Sequence, residues 1–556
     1  MTKQREFEPN YSSSLGLKQA NAETNMPFGS LLDVLNMNLD GIGGKTARRG
    51  YLEYFHLTNG LGGSRVHERV QSLIQFRPTT GGTYQSLAFA DGTIYMKNPA
   101  GTDSSIVRAG LTAGVRWNWC QYNDFIHGVN GNDSSFLYNG TNYVTISLTG
   151  VGVHLTLTPI AGGTLTVGQT YEYLATRWDA SRARESEPYI VLTAPSVTIA
   201  GLNQTVRLSN PPAAVSGEGM THWKVYRRKT GETLFALTAT VLISAATYDD
   251  TGNPSGTTFL NYDTGAVDRG YTAHPQSNLI EEAFDRIFMV PKNNPTVVVY
   301  SQAGGKSFAF PTGNFLPMGR NDGSPVIMLH KHNNGIAFHK RNSWWILDGD
   351  PATTVPRRMS GTGTQDVACS ASDENVIFRL TTEGHYLSSP TQFDPMDLRD
   401  DYIGKDIIEE EKLIDWNNTN LATVVSYNGN NSRHMYAMLP NSATATTKVL
   451  VYQTLFKEWT KYDLGTDVFS AKEYENLGER ILMVGDGYGM IWTWDVGTTD
   501  GINLTHPYLN GTFTATGASS FADSDIVDEA GTATSGGASS LTDTTKTWVA
   551  NQWVGK

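Results

Sequence analysis

The chain has 556 residues with 42 Lys and Arg against 54 Asp and Glu, a formal charge of −12 at pH 7. That balance disfavours tight DNA binding, because neutralising phosphates takes a basic face of clustered cations. Charged residues make up only 17% of the chain while Gly reaches 56 and aromatics 10%, which points to short strands, tight turns and surfaces covered by partners. Cys120 and Cys369 are the only cysteines; one possible pair is no disulfide framework, and both read as buried thiols of a protein that folds in a reducing cytoplasm. No 18-residue apolar run occurs and the opening MTKQREFEPN has no apolar core, so the expectation is a soluble chain that does not insert into a membrane by itself.

Residues 1–50 read as a polar arm followed by short entry strands. From Tyr51 to about residue 152, stretches such as YQSLAFADGTIYMK (84–97), FIHGVNG (125–131) and SSFLYNGTNYVTIS (134–147) alternate apolar and polar positions and break at Asp-Gly or Asn-Gly. Period-2 alternation broken by such dipeptides predicts antiparallel hairpins. Residues 153–268 change character: TYEYLATRW (170–178), TVRLS (205–209), HWKVYRR (222–228) and LFALTATV (234–241) are strand-like, with Trp223 in a central strand. That spacing predicts an inserted immunoglobulin-like or fibronectin-like sandwich without a disulfide pin.

The hairpin pattern resumes over 269–503, in segments such as NNGIAFHKRNSWWILDG (333–349) and ERILMVGDGYGMIWTWD (479–495). A Gly-containing turn followed by an aromatic strand recurs at Gly335 before Trp344-Trp345 and at Gly489 before Trp492 and Trp494. Self-similarity of this kind predicts a β-propeller-like platform interrupted by the sandwich. The charge run Glu409-Glu410-Glu411 reads as a solvated helix face or loop. Residues 504–556 are rich in Gly, Ser and Thr and read as a β extension that stops where its next strand should begin, that strand coming either from a longer natural chain or from a neighbour.

No motif assembles a catalytic set. Gly305-Lys306-Ser307 ends like a phosphate loop, but Tyr300 stands where a Gly is needed. His330, His332 and His339 cluster within ten residues, the first two on one strand face, but a metal site wants a further ligand at matching geometry and a second shell, so they read as strand histidines satisfied by solvent or backbone. Asp394, Asp397, Asp400 and Asp401, and Asp523, Asp525 and Asp528, read as turn and capping residues rather than a glycosidase pair. Asp486 resembles the Asp-box of sialidase propellers, yet Gly489 follows at three positions instead of two. Trp117 and Trp119, like Trp492 and Trp494, share a strand face and read as packing. The expectation is therefore no enzyme, no cofactor, no metal and no catalytic residues.

The run VLNMNLDGIGGKTARRGY (34–51), with Asn36, Asn38, Arg49 and Gly50, and the Trp-rich segment 117–140 resemble the opening of the tail hub or nozzle proteins of short-tailed bacteriophages, also called tail tubular protein B or DNA-stabilisation proteins. Segments 171–190, 222–241 and 247–252 resemble the immunoglobulin-like insertion some of them carry, and 342–351 and 451–464 resemble their later propeller strands. The likeness runs over about residues 26–500. It implies a structural virion protein made in the host cytoplasm, located in the tail and assembled as a homo-hexameric ring. Implied partners are the tail adaptor and portal proteins, tail fibres or a tail spike or needle, and double-stranded DNA retained in the capsid and conducted during ejection without tight binding. A tail-associated propeller that binds or cleaves glycans shares these sequence features and is the alternative.

Overall fold

The computed structural model describes residues 50–496 apart from 80–81, 190–193, 253–255, 257–259, 261–273, 305–308, 312, 320–322, 334, 374–375, 391–397, 430–433, 441–446, 463, 465–466, 477–478 and 495. It also describes the short strand pairs Met37–Leu39 with Lys45–Ala47 and Ser535–Gly537 with Ser540–Thr542.

Six four-stranded antiparallel sheets are continuous in sequence, within residues 72–108, 118–144, 277–317, 328–360, 370–402 and 423–462. A seventh takes three strands from residues 468–494 and its outer strand, Tyr51–His56, from the other end of the chain, with Tyr51 opposite Trp494 and His56 opposite Met490. Tyr51 thus belongs to the last sheet, not the first, a closure that local periodicity cannot reveal. The first strands of the seven sheets contact one another in an unbroken cycle, from Ser72–Phe76 round to Val468–Asn476 and back. The architecture is all-β and consistent with a β-propeller.

Six of the seven sheets are local because their turns are. Asp91 and Gly92 close the second hairpin of the first sheet with φ of 41° and 69°; a Cβ on Gly92 would stand 2.3 Å from the Leu111 carbonyl oxygen, so the position requires glycine. Alternation places one apolar face of each sheet against the next, and every neighbouring pair has its own buried cluster. The largest lies between the fifth and sixth sheets around Phe378, Met435 and Trp459. The smallest, between the fourth and fifth, has Ala337, Trp344, Ile346, Ile377 and Leu398.

Between the second and third sheets, two further sheets pack face to face. Thr156–Ile160, Asn203–Ser209 and Thr247–Asp250 form one with Gly162–Gly163; Thr170–Asp179, His222–Lys229 and Ala236–Leu242 form the other with two short strands. Trp223, Tyr173, Val206 and Leu208 are wholly buried between them. Buried Asp250 ties the layers, accepting from Tyr173 Oη at 2.8 Å and pairing with Arg227 at 2.7 Å. Among the described residues no helix is long and apolar enough to cross a membrane.

The segment around Glu409–Glu411 departs from the expected solvated face. Leu398–Tyr402 is a strand, and only Ile408–Glu411 is α-helical. Glu410 and Glu411 are buried: Glu410 pairs with Lys448 and with Lys461, and Glu411 accepts from the His385 backbone N–H at 2.9 Å and from Tyr402 Oη at 2.9 Å. These partners lie on other strands, so the run of three like charges was misleading: Glu410 is neutralised by two lysines and Glu411 is held by hydrogen bonds inside the fold.

Candidate functional site: the central channel

The seven inner strands enclose a channel of about 660 Å³. At the N-terminal ends of these strands one mouth is crossed by Arg116, which precedes the inner strand of the second sheet. Its guanidinium reaches past the first sheet to donate to the carbonyls of Ala422 at 3.3 Å and Phe469 at 2.9 Å and to Thr423 Oγ1 at 3.3 Å. Three bonds to neutral oxygens satisfy its geometry but leave its charge uncompensated, and burial lowers its pKa from the usual arginine value. The opposite mouth is ringed by polar contacts: Asn428 donates to Asp373 at 2.5 Å and to Glu473 at 2.9 Å, and Glu473 faces Arg480 at 3.4 Å. Along the wall Lys331 pairs with Glu282 at 2.7 Å. Desolvation pushes the neighbouring Glu281 carboxyl up to about 7.

His330, His332 and His339 come together but do not converge. The rings of His330 and His339 stack at 4.8 Å with 16° between planes, and His339 stacks on Trp344 at 5.6 Å. Stacked rings offer one another faces rather than lone pairs. The nitrogens of His330 and His339 are buried and unpartnered, while His332 Nδ1 lies 2.6 Å from Ser372 Oγ. Desolvation depresses His330 to about 3, His332 to about 4 and His339 well below the usual value. Among the described residues no three His, Cys, Asp or Glu side chains are placed to hold a metal.

The acidic positions are divided. Asp400 lies on a strand and pairs with buried Arg379 at 2.7 Å, a cross-strand tie rather than the expected turn or cap. Asp401 stands 3.5 Å from exposed Arg399. Asp394, Asp397, Asp523, Asp525 and Asp528 lie outside the described residues, as do Gly305, Lys306 and Ser307. Gly304 donates its N–H to Asp285 at 2.7 Å. Trp117 and Trp119 stack at 5.3 Å between the first and second sheets. Trp494 is buried against the sixth sheet, and Trp492 meets Tyr51 edge-on at 5.2 Å. Cys120 and Cys369 are buried free thiols.

Asp486 organises the turn that the Asp-box comparison only approached. Its carboxylate accepts from the Tyr488 N–H at 2.8 Å, the Met490 N–H at 2.9 Å and Trp492 Nε1 at 3.0 Å. Sequence reasoning missed Arg116, Glu281 and Lys472, which share the channel wall but lie up to several hundred residues apart in the chain. No local motif marks them.

No protein-family model matches the chain. No curated protein matches it. Among solved structures the chain is similar to YCF48 from Cyanidioschyzon merolae, at 11% identity over 77% of this chain and 96% of that one, with a TM-score of 0.26. It is similar to BBS1N in complex with ARL6DN, at 9% identity over 81% and 98%, TM-score 0.27, and to Kluyvelomyces marxianus Hsv2, at 8% identity over 71% and 97%, TM-score 0.25. Scores this low carry no argument about this chain; its architecture rests on strand order and ring closure.

Proposed function

We propose that the chain is a structural subunit of the tail nozzle of a short-tailed bacteriophage, a propeller carrying an inserted immunoglobulin-like sandwich, assembled as a six-membered ring that retains packaged DNA and conducts it during ejection. The observation that carries the reading is the interruption itself. A two-sheet module with its own core enters one inter-sheet connection of an otherwise sequential ring, in the stretch of sequence that resembles the insertion of those proteins. A ring of sheets tolerates such an insertion because connections between sheets lie at its surface.

The module is held to the ring rather than tethered loosely. Arg184, 2% exposed, pairs with Asp179 at 2.7 Å and donates to the carbonyls of Thr145, Ile146 and Glu218, and Glu218 accepts from the Thr149 N–H at 3.0 Å. A fixed spacer suits a rigid scaffold. A duplex does not fit through a channel of about 660 Å³ barred by Arg116, so in this reading DNA runs through the lumen between copies. Six chains sum to a charge of about −70, and like charge facing DNA disfavours sticking to the wall.

Electron microscopy of the purified chain with its tail partners, or of the parent particle, tests the proposal. A six-membered ring below the capsid vertex is expected. A peripheral position with turnover on polysaccharide would replace it with the glycan-acting propeller.

A further inference from the structure

Two opposite charges on the channel wall lack an ion-pair partner. Lys472, on the inner strand of the seventh sheet, is exposed to the channel and forms no hydrogen bond or ion pair. Glu281, on the inner strand of the third sheet, accepts only the Glu282 backbone N–H at 3.0 Å. The two feel each other electrostatically without approaching to pairing distance. With Glu282, the partner of Lys331, the wall balances the four cations Arg116, Lys331, Lys472 and Arg480 against the four carboxyl groups Glu281, Glu282, Asp373 and Glu473, and it becomes positive by one charge, inside a chain of −12, when Glu281 is protonated. A cationic pocket between low-dielectric walls focuses the field on whatever anion enters.

We propose that the channel binds a small tetrahedral oxyanion, of the sulfate or phosphate-monoester class, with Lys472 as its principal cation and the Glu281 carboxyl as hydrogen-bond donor opposite. A carboxyl donates only when protonated, and desolvation lifts Glu281 to about 7. The groups that act on it are Glu282 on its own strand, Lys331 on the fourth sheet, Lys472 on the seventh and Cys120 on the second, whose buried thiol stays neutral. Binding therefore weakens as pH rises through about 7, because the ionised Glu281 repels the anion. The site lies within a single chain and is independent of the nozzle reading.

Sulfate is the probe, since its charge is constant across this range. Thermal unfolding of the full chain is followed in sodium sulfate against sodium chloride of equal ionic strength. Surface exclusion of sulfate stabilises every variant alike without saturating, whereas site binding saturates by mass action. The wild type at about pH 6 is expected to show a saturable rise in Tm that Lys472→Met abolishes. Affinity should fall about tenfold by pH 8, and Glu281→Gln should retain it there. Equal, unsaturating shifts in wild type and Lys472→Met overturn the proposal. Should Lys472→Met fail to fold, calorimetric titration of the wild type with sulfate decides: no saturable heat at about pH 6 also overturns it.

Discussion

Arg379 of the fifth sheet lies with its guanidinium carbon 5.1 Å from the centre of the Trp344 ring of the fourth. That contact sits in the interface with the smallest apolar cluster. Polar burial supplements the small core there: Arg379 is fully buried, pairs with Asp400 at 2.7 Å and donates to the carbonyls of Thr362 at 2.6 Å and Gly363 at 2.9 Å. A buried charge stripped of its partner is costly whereas an apolar replacement of both can be neutral.

Arg379→Met is therefore expected to destabilise the fold by about 3–5 kcal/mol in urea unfolding, since it leaves Asp400 half-buried and unpaired. Adding Asp400→Asn should recover a substantial part of that loss. Additive losses in the double variant would show that the pair itself carries no coupling.

How far the fold could be read from sequence differs from residue to residue. Asp91-Gly92, Asn130-Gly131 and Asn139-Gly140 all sit in turns between paired strands, because turn chemistry is local and φ > 0 at a few residues decides it. Trp223 was legible as a sandwich-core residue for the same reason, an alternating pattern around one large side chain. Tyr51 was not, because its partner Trp494 lies at the far end of the chain. Glu410 and Glu411 read as solvent-facing because the lysines that pair with Glu410 and the donors that hold Glu411 come from other strands, and the channel residues were invisible because only ring closure brings them together. Asp394 and Asp397, raised by sequence, lie outside the described residues.

Acid should weaken this fold early. His127 and His330 are held to about 3, His332 and His434 to about 4, and His339 also far below its usual value, all by burial. In the unfolded chain each titrates near 6.5, so below that pH the unfolded state binds more protons and stability falls as pH falls. Each histidine contributes up to about 1.4 kcal/mol per pH unit between 6.5 and its folded value. Glu281 and Asp486, raised to about 7 and about 6, act in the opposite sense, because their protonated folded forms are lost as pH rises from the unfolded carboxyl range. Five groups outweigh two. Urea midpoints should drop between about pH 6.5 and 5, and a flat or rising midpoint there would contradict the buried, neutral histidines.

The sandwich should be separable, and its junction should be a distinct weak point. Excision of residues 153–268 with a short Gly/Ser linker is expected to leave a folded ring, because the module has its own core. The return segment supports this: His274 Nε2 lies 2.6 Å from Ser135 Oγ, beside the strands that precede the module. Arg184→Met in the full chain should instead loosen the junction, cost about 3–5 kcal/mol locally and speed proteolytic cleavage near residues 145–152. Failure of both the excised ring and the isolated module to fold would show that the two share one cooperative core.

On the nozzle reading the purified chain is expected to bind duplex DNA weakly or not at all at physiological salt, even when assembled with the proposed tail partners. Its longest cationic run is Arg227-Arg228-Lys229, followed by the pairs Arg48-Arg49, Lys340-Arg341 and Arg357-Arg358, and the structure engages much of this charge internally. Arg227 pairs with Asp250 at 2.7 Å and Arg228 with Glu172 at 2.6 Å, so neither is free to neutralise phosphate. Specific DNA binders reach about 10⁻⁸–10⁻¹¹ M and lose affinity steeply with salt as counterions are released. A conduit has to avoid such contacts, because each would brake the moving polymer. Titration of DNA binding against salt on assembled rings separates the alternatives: submicromolar affinity with a steep slope would replace the smooth conduit with a clamp that grips DNA.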